Sequence, residues 1–274
     1  MRAPYPLIDI GCNLTSPRLL PNLAQILSSA QGAGVVKQIL TGTDLISNEQ
    51  ALTLANQYPE LYATTGHHPH HANDWHPKRH PIAIQALARH PRVVAIGETG
   101  LDYHRNLATP TNQRKSFNAQ LEIAKTVGKP VFLHERHAAD DFFTILTPAL
   151  PELQGAVWHC FTGNLDQLHK ALELGLYIGI TGWICDPERG QSLRNIVHHI
   201  PDNRLMIESD APYLTPKTLT PTPRTNEPQY LPEVLRALAQ CRQQNPQTLA
   251  QLIYENTQRF FRLEQIPAPE HTPH

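Results

Sequence analysis

Short apolar runs recur along the chain, each followed by a polar or glycine-containing turn. They are PLIDIGCNL from Pro6, VVKQILTGT from Val35, LYATTGHHP from Leu61 and VVAIGETGLD from Val93. PVFLHE from Pro130, GAVWHCFTG from Gly155, LYIGITGW from Leu176 and RLMIESDAP from Arg204 bring the set to eight. Each has the length of a buried strand. Between them, apolar positions fall at helical spacing. In NQRKSFNAQLEIAKTVG, residues Phe117, Leu121, Ile123, Ala124 and Val127 lie mostly on one face. Thr109 or Thr111 would cap its start and Gly128 its end. NLDQLHKALELG repeats the pattern through Leu165, Leu168 and Leu172, and residues 47–57 and 79–90 are shorter versions. A proline-rich loop, Pro212 to Pro228, precedes helices expected near 231–241 and 248–261.

Strands that alternate with helices pair in parallel through crossovers. Eight such units predict an α/β fold, the (β/α)8 TIM barrel. A chain of 274 residues suits one barrel, which takes about 250. The expected organisation is a single domain over residues 1–264 and a disordered tail over 265–274. A doubly wound sheet would instead need a GxGxxG loop after the first strand, and none is there.

The barrel hypothesis changes how the polar residues read, because the C-terminal strand ends of a barrel carry its chemistry. The eight runs end in Asp9 and Asn13, Thr41 to Asp44, His67 to His70, Glu98, His134, His159, Thr181 to Trp183, and Glu208 to Asp210. A lone histidine after an apolar run is ordinarily a hydrogen-bonded structural residue, and a lone acid caps a turn. Four such groups at equivalent strand ends are another matter, since unpaired polar groups are costly to desolvate. Glu98, His134, His159 and Asp210 would form a mixed nitrogen and oxygen site. Such donors suit Mn²⁺, Zn²⁺ or Fe²⁺, whereas pure Mg²⁺ sites prefer oxygen alone. Cys160 follows His159, and alternation would point it away if the strand continues.

Composition limits the partners. The formal charge is −1 and the pI about 7.0, which argues against a broad basic surface for nucleic acid. It leaves room for a narrow pocket that takes one strand end. Four cysteines without a CxxC pair are expected to be reduced thiols of a cytoplasmic protein. No membrane span or signal segment is expected.

GETGLD (97–102), PVFLHERHA (130–138), WHCFTG (158–163), GITGWICD (179–186), ESDAPYL (208–214) and NEP (226–228) together resemble the TatD family of metal-dependent deoxyribonucleases. GHHPH (66–70) is similar to that family's GxHPH. The resemblance runs from about Ile8 to Phe261 and implies a barrel of the metal-dependent hydrolase type. It implies metal ligation by Glu98, His134 and His159, with Asp210 on the metal or on the water proton. Glu98 and Asp210 would be the catalytic carboxylates, and His68, Arg136 and Asn13 would bind substrate. The implied reaction is phosphodiester hydrolysis, a 3′-5′ exonuclease acting on single-stranded DNA, with RNA as a further substrate, and DNA repair as a natural setting. The implied cofactor is a divalent cation, magnesium or manganese, with zinc as the alternative. Trp183 or Tyr103 would stack a base. The family's D-x-H-x-H is here Asp9-Ile-Gly11-Cys-Asn13, as in the TatD subgroup proper, which implies one tightly held ion. His137 and Thr225 stand where an aspartate and an arginine are usual. Two rival readings remain: an amide or ester hydrolase such as an aminoacyl-tRNA deacylase, and a non-catalytic scaffold barrel.

Overall fold

The computed structural model describes residues 2–266; the expected tail falls mostly outside them. All eight apolar runs form strands: β1 Leu7–Cys12, β2 Val35–Leu40, β3 Leu61–Thr65, β4 Val93–Asp102, β5 Val131–Arg136, β6 Ala156–Trp158, β7 Tyr177–Ile180 and β8 Leu205–Ile207. They join one sheet in chain order, β1 to β8. The helices are α1 Leu23–Ala33, α2 Leu45–Gln57, α3 Arg79–Ala88, α4 Pro110–Val127, α5 Ala139–Leu146, α6 Leu165–Glu173, α7 Gln191–Ile196, α8 Leu231–Arg242 and α9 Pro246–Phe261. Strand order and alternation are those of the (β/α)8 barrel class. Helices α1, α5 and α7 add to those read from the sequence.

The described residues fall into two compact units. One takes residues 2–40, 160–173 and 177–259; the other takes 41–159, 174–176 and 260–266. In the first, β1 pairs with β2 and β7 with β8, all in parallel. The last strand's exit returns to the first: Asp210 N–H donates to the Gly11 carbonyl at 2.9 Å, and Asn13 N–H to that of Ala211 at 2.7 Å. In the second unit, β3, β4, β5 and β6 pair in sequence. Its core holds an aromatic cluster. Phe142 stacks on Phe117 at 5.7 Å and tilts against Trp158 at 5.2 Å.

Local rules explain the longest helix. Thr109 accepts the Asn112 N–H to cap α4, Pro110 takes the first turn, and Gly128 ends it in the left-handed conformation, which glycine adopts without strain. One expectation is corrected. VVAIGETGLD does not end at Glu98; β4 continues to Asp102 with every residue buried. A register shift between Ile96 and Thr99 absorbs the irregularity. Gly97 and Gly100 have φ of +148° and +143°. A Cβ at Gly97 would strike the Phe132 carbonyl, and one at Gly100 that of His134. Those glycines keep β4 against β5 rather than end it.

Candidate metal centre

The chemistry of the second unit gathers on Glu98. Its Oε1 lies 2.8 Å from His159 Nε2, 2.9 Å from His134 Nδ1 and 3.1 Å from His68 Nε2. Glu98 and His159 are buried, and His134 is nearly so. Each ring is delivered by backbone. His134 sits within β5. His159 stands one residue past β6, where its N–H extends the ladder to the Leu133 carbonyl at 2.9 Å. His68 N–H donates to the Thr43 carbonyl at 2.8 Å, and Glu98 N–H to that of Gly42 at 2.7 Å.

Asp102 completes the group and was not singled out in the sequence. Its Oδ2 lies 3.2 Å from His134 Nε2 and 2.7 Å from His70 Nε2. Its Oδ1 accepts the Arg105 N–H at 2.7 Å. The signal was available: Asp102 is four residues after Glu98, so alternation puts both on one face if the strand continues.

Burial alone would raise the Glu98 pKa; the facing imidazoles outweigh it and hold the carboxyl well below its usual range. Burial likewise opposes ionisation of Asp102, but hydrogen bonds from His134, His70 and the Arg105 N–H leave it strongly acidic. His134 has the converse balance. Burial lowers its pKa, and bonds to Asp102 and Glu98 more than restore it. Burial drives His68 down to about 4, against the pull of Glu98. His68 is therefore neutral at neutral pH.

These donors fit a divalent cation. Both ring nitrogens of His134 face carboxylates, which leaves one nitrogen lone pair without use unless the ring is doubly protonated. A cation on Nδ1 would use that lone pair while Nε2–H donates to Asp102, the arrangement that orients metal-bound imidazoles. His68 differs, although its nitrogen, a Glu98 carboxylate oxygen and a His134 nitrogen lie within 4.8 Å of one another. Its Nδ1 accepts the His70 N–H at 3.0 Å, so the proton sits on Nε2. That nitrogen is a donor, suited to a phosphate oxygen rather than to a metal.

Buried carboxamides fix the backbone beneath. The Gln120 side chain accepts the His67 N–H at 2.8 Å and donates to its carbonyl at 2.9 Å. Gln113 does the same for Asp102, at 2.8 and 3.1 Å. Asn48 pairs likewise with Gly66, at 3.1 and 2.9 Å. Each closes a two-bond ring on the N–H and carbonyl of one buried residue.

Arg136 belongs to β5 and shares the face of His134. Tyr103 donates its hydroxyl to Asp141 at 2.6 Å. The expected residues Asn13, Asp210 and Trp183 lie in the first unit. Asn13 Nδ2 reaches Asp210 Oδ1 at 3.5 Å, and Asp210 adopts a φ of +53°. Buried Asp9 accepts the Ser209 N–H at 2.8 Å. Its Oδ2 has no hydrogen-bond partner among the described residues. The Asn226 amide donates to the carbonyls of Ser209 at 2.7 Å and Tyr213 at 2.6 Å, bracing the segment on both sides of Asp210. Trp183 is covered by Arg189, whose guanidinium lies 4.4 Å from the ring centroid. Cys160 stands beyond the end of β6, so strand alternation does not orient it. None of the four cysteines forms a disulfide.

The chain is similar to known proteins over nearly its whole length. Residues 8–262 match the family described as TatD related DNase. A protein of Edwardsiella piscicida named "3'-5' ssDNA/RNA exonuclease TatD" is 47% identical over 260 residues, covering 94% of this chain and 100% of that one. The protein of the same name from Salmonella typhimurium is 46% identical, with 93% and 98% covered. Among solved structures, a TatD homologue from Escherichia coli superimposes with a TM-score of 0.86 at 30% identity, covering 93% and 98%. A Xaa-Pro dipeptidase at 13% identity and TM-score 0.61 shares the fold alone. No helix among the described residues is long and apolar enough to cross a membrane.

Proposed function

The chain belongs to the TatD related DNase family, and from that premise we propose that it is a metal-dependent 3′-5′ exonuclease of single-stranded DNA and RNA. The observation that carries the reading is the Glu98 oxygen held among three imidazole nitrogens. Glu98, His134 and His159 would hold one divalent cation, magnesium or manganese. When bound, that ion supplies an acidified water and a positive charge opposite the phosphate.

The remaining work falls to side chains. Neutral His68 donates its Nε2–H to a phosphate oxygen as negative charge builds there. Asp102 holds the His134 ring in one orientation. Arg136 offers a guanidinium to substrate phosphate. Asp210 orients the attacking water or takes its proton, and Asn13 steers Asp210 or meets substrate. For this last pair the support is the match of ESDAPYL and DIGCN to the family. Cytoplasmic placement suits four cysteines without a disulfide, and DNA repair suits the substrate. The donors of the site are intact, which favours catalysis over a scaffold role.

The test is one assay with magnesium or manganese restored. Single-stranded oligonucleotides with free or blocked 3′ ends should release mononucleotides stepwise from free ends only. Release from blocked ends, or none from free ends, would overturn the reading. Asp210→Asn should retain the metal and lose turnover; an unchanged kcat would remove it from proton handling.

A further inference from the structure

Beside the Glu98 cluster, the end of β5 and the loops after β4 and β5 carry four side chains able to be cationic. These are His104, Arg105, Arg136 and His137. His104 and His137 meet edge to face, with ring centroids 4.7 Å apart. Tyr103 N–H donates to the Arg136 carbonyl at 2.9 Å, tying the two loops together. Arg136 above all, then slight burial and His137, push the His104 imidazole below its usual pKa. The concentration is notable in a chain whose net charge is −1.

Neighbouring acids do not absorb it. Asp102 is engaged by His134, His70 and the Arg105 N–H. Asp141 is engaged by Arg114 at 2.9 Å and by the Tyr103 hydroxyl. Glu135 is buried and accepts the Ala138 N–H at 2.6 Å. Among the described residues, none of the four forms an ion pair. His104, Arg105 and His137 are exposed.

Position gives the patch a use. In β5, Arg136 follows His134 by two residues, on the same face and about 6–7 Å farther along the strand. A nucleic-acid strand whose end reacts at Glu98 carries another phosphate one nucleotide away. We propose that His104, Arg105, Arg136 and His137 form a second phosphate subsite, which holds the linkage next to the scissile one. This rests on the phosphodiesterase reading above and deepens it: the enzyme selects a strand end over an isolated phosphodiester. Imidazole and guanidinium N–H groups supply the contacts, and exposure keeps them sensitive to salt.

The metal-loaded full-length protein tests this with two short oligothymidylates. One has phosphate throughout; the other has a single neutral methylphosphonate next to the 3′-terminal linkage. The neutral linkage should raise KM roughly fivefold, as for loss of an exposed charge contact. The combined variant His104→Gln, Arg105→Gln, His137→Gln should bring the ratio of the two KM values toward one. It should also flatten the salt dependence of kcat/KM by about 0.7 per lost cationic contact on a log–log plot. Equal KM values in the wild type, or an unchanged ratio in the variant, would overturn the subsite. Failure of the wild type to release nucleotide from either oligomer would instead overturn the phosphodiesterase reading, and the subsite with it.

Discussion

Replacing Asp102 by asparagine tests whether the His134 ring is oriented from behind. The carboxylate takes three donors, two on Oδ2 and one on Oδ1. An amide has one oxygen and one NH2 group. If its oxygen serves the imidazoles, the NH2 confronts the Arg105 N–H. If the amide is turned, the NH2 confronts His70 and His134. Either way at least one partly buried donor loses its acceptor, a cost of about 1 kcal/mol. His134 also loses the acceptor that makes it a strong ligand. Metal affinity should fall about 10- to 100-fold, equal to roughly 1.4–2.8 kcal/mol. Calorimetric titration with Mn²⁺ reads the affinity, and a thermal melt in chelator reads the metal-free cost. A dissociation constant within twofold of wild type would refute the reasoning.

Three further outcomes are expected. Glu98→Gln keeps a side chain able to accept from the imidazoles but loses the charge, so metal-dependent hydrolysis should largely vanish while the protein still melts cooperatively; wild-type rates would reject the assignment. Burial pushes the Asp9 carboxyl up to about 7, so the folded state holds a proton that the unfolded state releases near pH 4. That stabilisation is fully present below the unfolded pKa and is lost as pH rises through 7. Asp9→Asn should therefore gain in Tm relative to wild type between pH 5 and pH 8, and a gap that does not change with pH would contradict the burial argument. Gly100→Ala would set a Cβ against the His134 carbonyl at a positive φ, costing about 2–3 kcal/mol; a denaturation midpoint equal to wild type would show that the strands can part there.

Strand positions were legible because buried parallel strands are apolar throughout, and eight such runs leave few alternatives. Glu98, His134 and His159 were legible because a polar group at the end of such a run stands out. Asp102 was not, because Gly97 and Gly100 read as the end of a strand, whereas here they let two strands approach. His70 was visible only as part of GHHPH; its link to Asp102 spans 32 residues and depends on the fold. Gln113, Gln120 and Asn48 were hidden for another reason. An amide on a helix reads as solvent-facing, and only the buried peptide it serves reveals its purpose. Helices α5 and α7 have eight and six residues, too few for periodicity to declare itself. The expectation for Cys160 held only for a strand that continues, and β6 stops at Trp158.

The unbroken passage of β4 through its glycines has a bearing on how this protein can change. Glu98 and Asp102 look the same way only while an odd number of residues separates them, so inserting or deleting one codon between them would turn one acid away from the histidines. The span after Asp102 carries no such parity. New specificity in this lineage should arise by lengthening or shortening that span, while the five positions before it keep a fixed length.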